Sequence, residues 1–512
     1  MNTFDLDKPL INFYTDTDHI SWKLRDAVTG CAIFGASGSG KTSGGNTLAL
    51  KLLLENFGGL VLTVKPTDKD DWIKNCKLTG REKDLIIIGP EHQHSFNFLD
   101  YEIQNSVGSH AFTSNIVQVL KTVIVAGKEK EHSRGDDQFW ETALNMLIFH
   151  VTDMLMLAYG TVSVQLLYDV VQSLPKGDQD GVRHQENEES AFEKAFTLAR
   201  EKVVKKIEVW KKSISKAKII RLQKQGLYET TFLEAIPDAK LFKLVDQFFC
   251  ETLKNLSEKT RSIIDFSFTG FLFQLMREPV YSLFCKYPST TTPNDSAAGK
   301  IILIDLPVKN YHEAGRSCQI LYKYMWQRAM EKRKIEANSK PVFLWADEAQ
   351  NFLHEHDADF QATARSSQIA TVYITQNLHC YFSVMGGAKS EHRVKAFLGT
   401  LNTKIFMANA DIETNEYASQ LIGDAFFEDL SSGVTVAENF SQSQNKSHKL
   451  ERILRPEAFV KLKTGGPLNN FLVECILHRQ GDQLRNGANH IRVTFDQNYK
   501  PQIINHLKIL IS

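Results

Sequence analysis

Eight consecutive residues near the N-terminus have the types and spacing of a loop that holds phosphate groups. They fit the pattern G-x-x-x-x-G-K-[ST], the Walker A motif, and are Gly35, Ala36, Ser37, Gly38, Ser39, Gly40, Lys41 and Thr42. The glycines let backbone N–H groups turn toward phosphate oxygens, and a following helix adds its positive N-terminal dipole. We expect Lys41 to neutralise the β- and γ-phosphates and Thr42 to offer its hydroxyl to Mg²⁺. The motif therefore predicts a site for ATP and Mg²⁺, with a structural glycine-rich turn as the alternative.

Two adjacent carboxylates follow an apolar run further along the chain. The run 342–346 ends at Asp347 and Glu348, which is the form of a Walker B element. Alone the pattern is weak, because many buried strands end in an acidic residue. Together with the phosphate loop it predicts that Asp347 holds the Mg²⁺ shell and that Glu348 polarises the attacking water. Divided roles of this kind indicate hydrolysis of the nucleotide.

Gln376 and Arg365 are two further candidates for contact with the γ-phosphate. Gln376 follows the apolar run 370–375, so a parallel sheet would bring it to the edge at which phosphates bind. Arg365 lies just before that run, on a segment that is predicted to be helical. We interpret Arg365 as an arginine finger that acts across a subunit interface, with an ordinary surface arginine as the alternative.

The elements that must position these residues have the rhythm of a βαβ fold. Seven short apolar runs are typical of strands buried on both faces; they begin at residues 30, 60, 85, 300, 341, 370 and 403. A helix is predicted from Lys41 to Asn56, directly after the phosphate loop. The sequence therefore predicts an α/β core with a mostly parallel sheet.

The rhythm changes between about residues 104 and 295, where helical patterns dominate. We predict a nucleotide-binding domain in two parts, residues 1–104 and 296–512, with an all-helical domain inserted at 105–295. The stretch Ala191 to Gln225 carries eleven Lys and Arg residues against three Glu residues, and we interpret it as one basic helix. The polar stretch Ser431 to Ser447 is interpreted as a mobile segment.

Composition limits the class of protein. The 512 residues are 42% hydrophobic and 23% charged, which excludes wholesale disorder. Lys plus Arg number 60 and Asp plus Glu also number 60, so any contact with DNA must come from local patches. Seven scattered cysteines without a C-x-x-C pair, and an N-terminus without an apolar leader, favour the cytoplasm and no direct insertion into a membrane.

Several segments, taken in order, resemble the FtsK/HerA superfamily of P-loop translocases, and within it the TraD/TraG-like type IV secretion coupling proteins. Besides the residues named above, the resemblance rests on the segments 20–22, 59–68, 96–100, 139–140 and 304–307. It implies a RecA-like core that carries an all-helical domain at this point in the chain. It also implies a hexameric ring that pumps DNA with ATP.

On this basis we expect a Mg²⁺-dependent ATPase, a homohexamer that grips or pumps DNA. Two alternatives remain open. One is an ATP-gated ring that organises and switches a partner such as a nuclease, and the other is a protein-secretion or assembly ATPase. The expected protein partners are accordingly a relaxase, a secretion channel or a nuclease.

Overall fold

The computed structural model describes most of the chain and divides it into two compact units. The described residues are 5–14, 19–105, 109–128, 137–175, 189–336, 339–384, 390–436, 440–481, 484 and 487–499. The first unit comprises residues 1–86, 293–309 and 326–512, and the second comprises residues 87–292 and 310–325. The domain boundaries expected from the sequence, at 104/105 and 295/296, stay a prediction.

The main sheet has nine strands in the order β13-β12-β9-β3-β8-β7-β4-β6-β5. Its strands are β3 (Cys31–Phe34), β4 (Gly58–Leu62), β5 (Leu85–Ile88), β6 (Ile301–Ile304), β7 (Val342–Ala346), β8 (Ile369–Thr375), β9 (Thr403–Met407), β12 (Leu472–Arg479) and β13 (His490–Asp496). The pairs β3/β8, β3/β9, β4/β6, β4/β7 and β7/β8 are parallel, whereas β12 runs antiparallel to both β9 and β13. The predicted α/β fold with a mostly parallel sheet is therefore confirmed.

The apolar runs form these strands because the sheet is covered on both faces. Every residue of β3, β4, β6, β7, β8 and β9 is buried. A strand that is buried on both sides needs apolar residues at every position rather than at alternate ones. For this reason these six strands were recognisable from the sequence, as was the half-buried edge strand β5.

Helices follow the strands of the first unit. They are α1 (Leu24–Val28), α2 (Lys41–Leu54), α3 (Thr67–Leu78), α14 (Asp357–Ala364), α15 (Leu378–Phe382), α16 (Ser390–Gly399), α17 (Ile412–Ile422) and α18 (Glu457–Val460). Helix α13 (Val308–Lys332) follows β6, and most of it, residues 310–325, belongs to the second unit. The predicted helix 41–56 ends two residues early, because Asn56 adopts a left-handed conformation with φ of 59°. Helix α13 is kinked at His312, where φ is 46°.

The second unit carries the predicted helical insertion. Its helices are α4 (Phe98–Asn105), α5 (Ser109–Lys128), α6 (Asp137–Tyr159), α7 (Val164–Gln172), α8 (Ala191–Lys212), α9 (Lys216–Lys224), α10 (Tyr228–Ala235), α11 (Pro237–Gln247) and α12 (Glu258–Leu275). No strand occurs in the part of 89–292 that the structure describes. The all-helical character of the insertion is confirmed.

Helices α6 and α7 contact each other and contribute buried residues to the second unit. Leu147, Val151 and Leu155 of α6, with Val164 and Leu167 of α7, are fully buried. Within the described residues one helical stretch, Trp140–Tyr159, is long and apolar enough to cross a membrane, and half of it is buried inside the protein.

The basic stretch 191–225 is two helices rather than one, which corrects the interpretation from the sequence. Helix α8 begins with a capping box in which Ser190 and Glu193 bond to each other's backbone N–H groups. It ends at Lys212, and Ser215 then caps α9 by accepting a hydrogen bond from the N–H of Lys218. Ser side chains bond to nearby backbone groups and so favour helix ends.

A second correction concerns the polar stretch 431–447. Except for residues 437–439, which lie outside the described residues, it belongs to a two-stranded antiparallel sheet of β10 (Asp424–Val436) and β11 (Phe440–Arg452). A separate pair joins β1 (Pro9–Tyr14) and β2 (His19–Lys23). Both pairs escaped the sequence analysis, because short-range composition does not show which strand will lie opposite.

Candidate nucleotide site

The loop between β3 and α2 has the backbone conformation that the glycine pattern predicts. Gly38 and Gly40 have φ of 76° and 89°, a region that other residues rarely adopt. At Gly40 a Cβ atom would lie 2.5 Å from the side chain of Val473, so both space and conformation require glycine. The loop is tied to the sheet edge by hydrogen bonds from the Gly35 N–H to the Thr375 carbonyl at 3.3 Å and from the Ala36 N–H to the Ala408 carbonyl at 2.9 Å.

Lys41 is the first residue of α2 and is 8% exposed. Its Nζ donates a hydrogen bond to the Ala36 carbonyl at 3.1 Å, so the ammonium group is held across the phosphate loop. Burial lowers the pKa of Lys41, and the Glu348 and Asp347 carboxylates oppose that shift. The charges of the Walker B carboxylates thus act directly on the Walker A lysine.

Asp347 follows the last residue of β7. Its Oδ1 accepts a hydrogen bond from the N–H of Glu348 at 2.8 Å. Burial raises the pKa of Asp347 to about 6; the Lys65 ammonium opposes this rise, and the Glu348 and Asp68 carboxylates add to it. A carboxylate with a raised pKa beside other carboxylates gains most from a bound cation.

Glu348 is held in a conformation that is uncommon for a residue with a side chain. Its φ and ψ are 48° and 51°, in the left-handed region. The Gln350 amide donates to Oε2 at 2.9 Å, and the Gln376 amide donates to Oε1 at 3.2 Å. The Gln350 side chain is fixed in turn by the Thr375 hydroxyl at 3.0 Å. Strained backbone together with two amide donors fixes the position of the carboxylate.

Residues of the phosphate loop, together with Asp347 and Glu348, line one cavity of about 490 Å³. Of the predicted residues, Ser37, Gly38, Gly40, Lys41, Thr42, Asp347 and Glu348 line it. Gly35, Ala36 and Ser39 belong to the loop behind it, and Gln376 reaches it through Glu348. The structure therefore brings together all the predicted site residues except Arg365.

Arg365 lies elsewhere in the same unit. It is exposed and forms the C-cap of α14, just before β8 begins. The seven residues of β8, about 20 Å in length, separate it from the edge at which Gln376 follows the strand. A contact with the chain's own nucleotide is excluded by this placement, whereas action across a subunit interface stays a prediction.

The cavity also includes residues that the sequence analysis did not select. These additional lining residues are Ser43, Asn46, Ala49, Leu62, Lys65, Asp68, Asp71, Trp72, Lys74, Asn75, Trp345, Ile374 and Gln497. Lys65 and Asp68 follow β4 at the same sheet edge as Asp347, so the rule for parallel strands was sufficient to find them. Gln497 had no such signal, because it follows β13 and bonds to the Ser43 hydroxyl at 3.0 Å across 454 positions of sequence.

The comparisons with known proteins agree with this geometry. Residues 341–464 match the family described as the TraM recognition site of TraD and TraG. No curated protein matches the chain in sequence.

Among solved structures, the chain is similar to the unbound bacterial conjugative coupling protein TrwBdeltaN70, at 12% identity over 96% of this chain and 89% of that chain, with a TM-score of 0.58. It is similar to TrwB in complex with ADP and Mg²⁺, at 12% identity over 94% and 88% of the chains, with a TM-score of 0.55. A third structure, TrwB with a non-hydrolysable ATP analogue, is 14% identical over 93% and 87% of the chains, also with a TM-score of 0.55.

At these identities the structures establish the fold alone, and the predicted RecA-like fold with its helical insertion is confirmed. The resemblance to TraD/TraG-like coupling proteins is thus confirmed, by the family match across residues 341–464 and by the coupling-protein fold across nearly the whole chain.

Proposed function

We propose that this chain is a Mg²⁺-dependent ATPase that works as a coupling-protein-like motor. The observation that carries the proposal is the single cavity in which Lys41, Thr42, Asp347 and Glu348 meet. These are the groups required to hold a triphosphate, bind a metal ion and activate water. The TrwB structures with an ATP analogue and with ADP and Mg²⁺ support this choice of ligands.

The residues present fit a Mg²⁺-nucleotide. The Thr42 hydroxyl and the Asp347 carboxylate lie in one cavity and supply the oxygen ligands that Mg²⁺ prefers. A bound Mg²⁺ would neutralise phosphate charge and stabilise the ionised form of Asp347, whose pKa is raised mainly by burial and further by the Glu348 and Asp68 carboxylates. Lys41 and the N–H groups of the loop would hold the β- and γ-phosphates.

Hydrolysis follows from the position of Glu348. Its carboxylate accepts a proton from a water molecule while the water oxygen attacks the γ-phosphorus atom. The bond between the γ-phosphorus and the bridging oxygen breaks, and the electron pair leaves with ADP. Gln376 donates to the Glu348 carboxylate, and we propose that it senses the γ-phosphate through this contact.

The chain is further proposed to act on DNA as a homohexamer in the cytoplasm. Eleven Lys and Arg residues against three Glu residues within 191–225 supply a local cationic surface on a protein of zero net charge. Arg365 would complete the nucleotide site of a neighbouring subunit, which requires a head-to-tail interface such as that of a ring.

A specific observation also favours the second candidate, a ring that switches a protein partner. The matched family is described as a recognition site for TraM in TraD and TraG. We therefore include a protein partner that binds within 341–464, where a relaxase-associated, channel or nuclease protein would be recognised.

The test is phosphate release by the purified chain with Mg²⁺ and ATP, with and without duplex or single-stranded DNA. We expect turnover that DNA stimulates, and no turnover by Lys41→Ala, which lacks the fixed charge on the phosphates. Normal turnover by Lys41→Ala would refute the site. A rate of phosphate release that is the same with and without DNA would instead favour the ring that switches a protein partner.

A further inference from the structure

The loop after β4 carries a second lysine to the nucleotide site. Strand β4 pairs with β7 in parallel, with Leu62 opposite Ala346, so Lys65 and Asp347 both follow strand ends at one edge of the sheet. The carboxylate of Asp68 accepts hydrogen bonds from the N–H groups of Val64 and Lys65, each at 2.8 Å. The backbone of Lys65 is therefore fixed at the edge where phosphates bind.

The Lys65 side chain is half-buried and lines the cavity together with Lys41, Asp347 and Glu348. Its ammonium group opposes the rise in the pKa of Asp347, and it adds to the lowering of the pKa of Lys41. Both effects require the Lys65 charge to lie close to these groups.

The Lys65 ammonium has no hydrogen bond or ion pair with any residue that the structure describes. Two neighbouring lysines have partners, since Lys41 Nζ donates to the Ala36 carbonyl at 3.1 Å and Lys69 Nζ lies 2.9 Å from Asp305 Oδ2, and a third, Lys74, is exposed to solvent. An ammonium group loses solvation when it is half-buried, and it recovers that cost by binding an anion.

The charged residues that line the cavity indicate which anion Lys65 would bind. Its lining has three lysines, Lys41, Lys65 and Lys74, and four carboxylates, those of Asp68, Asp71, Asp347 and Glu348. A Mg²⁺-triphosphate adds further negative charge, part of which is spread over the γ-phosphate oxygens during hydrolysis. Lys41 is already bonded to a carbonyl and Lys74 is exposed, so the half-buried Lys65 is the lysine best placed to meet this charge.

We propose that Lys65 binds the γ-phosphate of the chain's own nucleotide and stabilises the charge that develops during hydrolysis. This inference rests on the proposed ATPase function. Lys65 would supply a positive charge from the same chain, at a site that the chain's own Arg365 does not reach. Because ADP has no γ-phosphate, Lys65 would strengthen the binding of ATP more than the binding of ADP. An arginine finger from a neighbouring subunit would then add to a site that already holds two cations.

The test compares Lys65→Met, Lys65→Arg and a control, Lys77→Met. Methionine keeps the length of the side chain and removes the charge. Lys77 is exposed on α3, the helix that follows Lys65 in the chain, and does not line the cavity. Binding of Mg²⁺-ADP and of a non-hydrolysable Mg²⁺-ATP analogue is measured for each variant, together with the rate of phosphate release.

For Lys65→Met we expect ADP affinity within about twofold of the wild type and ATP-analogue affinity lower by about tenfold. Turnover should fall by about 10²-fold, the scale seen when one preorganised donor is lost. Lys65→Arg should recover part of both losses, and Lys77→Met should match the wild type.

A different result is expected if Lys65 acts only indirectly, by favouring the ionised form of Asp347. If Lys65 only kept Asp347 ionised, the loss in Lys65→Met would disappear at about pH 9, well above the pKa of Asp347. A loss that persists there supports direct contact with phosphate.

The inference is overturned if Lys65→Met keeps the wild-type ratio of ATP to ADP affinity, whether both are unchanged or both fall together. If Lys65→Met does not fold, Lys65→Gln is measured in the same way. Failure of the wild type itself to bind either nucleotide would refute the proposed function instead, so the two failures are distinguishable.

Discussion

Glu348 is held before any nucleotide binds. Its left-handed backbone and the two amide donors, from Gln350 and Gln376, fix the carboxylate beside the phosphate loop. A base that needs no reorganisation at the moment of reaction is effective because the cost of positioning it is already met by folding. The same contacts connect the base to β8, so a change at Gln376 on binding of the γ-phosphate would be transmitted to Glu348.

The first prediction at this scale is that Glu348→Gln binds Mg²⁺-ATP but hydrolyses it at least about 10²-fold more slowly. Glutamine keeps the shape of the side chain and removes the proton acceptor. ATP binding and phosphate release are measured together, with Glu416→Gln, an exposed residue of α17, as the control. Wild-type turnover by Glu348→Gln would remove Glu348 from the role of base.

The second prediction concerns Asp347 and the stability of the nucleotide-free protein. Burial raises the pKa of Asp347 from 3.8 to about 6, so the folded state holds this proton more tightly than the unfolded state does. The ionised carboxylate therefore destabilises the fold above about pH 6, and the effect fades as the pH falls toward 4. Asp347→Asn should raise the free energy of unfolding by about 2 kcal/mol at pH 8, since one pKa unit corresponds to about 1.4 kcal/mol.

Urea unfolding in the presence of a chelator at pH values of about 8 and about 4.5 measures this difference. The gain from Asp347→Asn should be largest at the higher pH. An equal gain at both pH values would mean that the aspartate is not the group responsible.

At the scale of the elements, the sequence predicted the strands that are continuous apolar runs and missed those that mix apolar and polar residues. Strands β3 and β7 are continuous apolar runs, whereas β13 alternates buried and exposed residues and, within the described part of the chain, pairs with β12. An alternating strand of seven residues has little signal of its own, because its stability depends on a partner distant in sequence.

The residues of the candidate site also fall into a group that the sequence predicted and a group that it missed. The phosphate loop and the pair Asp347–Glu348 were found because each motif is contiguous in the sequence. Lys65 was overlooked although it follows a predicted strand at the phosphate edge, whereas Gln497 was missed because it reaches the cavity only through the order of strands in the sheet. A sheet order is a long-range property, and local spacing does not contain it.

Helices α8 and α9 carry the third prediction. No residue of α9 is buried, and Lys205, Lys212, Lys216 and Lys224 are exposed. Replacing these four lysines by Gln removes four charges and keeps helix propensity. If they contact phosphates, duplex affinity should fall at low salt, and the log–log salt slope should flatten by up to about 0.9 for each lost contact.

The four lysines were chosen because their neighbours have structural roles. Lys206 is paired with Asp238, and Lys211 lies over the ring of Tyr228 at 5.8 Å. Four other exposed lysines serve as the control: Lys77, Lys240, Lys254 and Lys259. An unchanged salt slope in the α8–α9 variant, with normal folding, would show that this surface is solvated or binds a protein partner.

At the scale of the whole molecule, the placement of Arg365 makes the proposed ring testable. Arg365 is exposed and lies about 20 Å along β8 from its own phosphate edge, so a catalytic role requires another subunit. Arg365→Ala should leave ATP binding nearly intact and cut hydrolysis by about 10³-fold, the scale of a lost arginine finger.

The fourth prediction is that mixing Arg365→Ala and Lys41→Ala subunits restores part of the hydrolysis that each variant lacks alone. In a mixed ring, some interfaces join the intact phosphate loop of one subunit to the intact Arg365 of the next. A mixture of Lys41→Ala with Glu348→Gln is the control, because every site in that ring has a defect in its own loop or base and no recovery is expected. Phosphate release is measured on mixtures whose assembly is checked by light scattering. If the Arg365→Ala and Lys41→Ala mixture forms normal rings and stays inactive, Arg365 has a structural role, and Lys41 and Lys65 must supply the positive charge at the γ-phosphate without it.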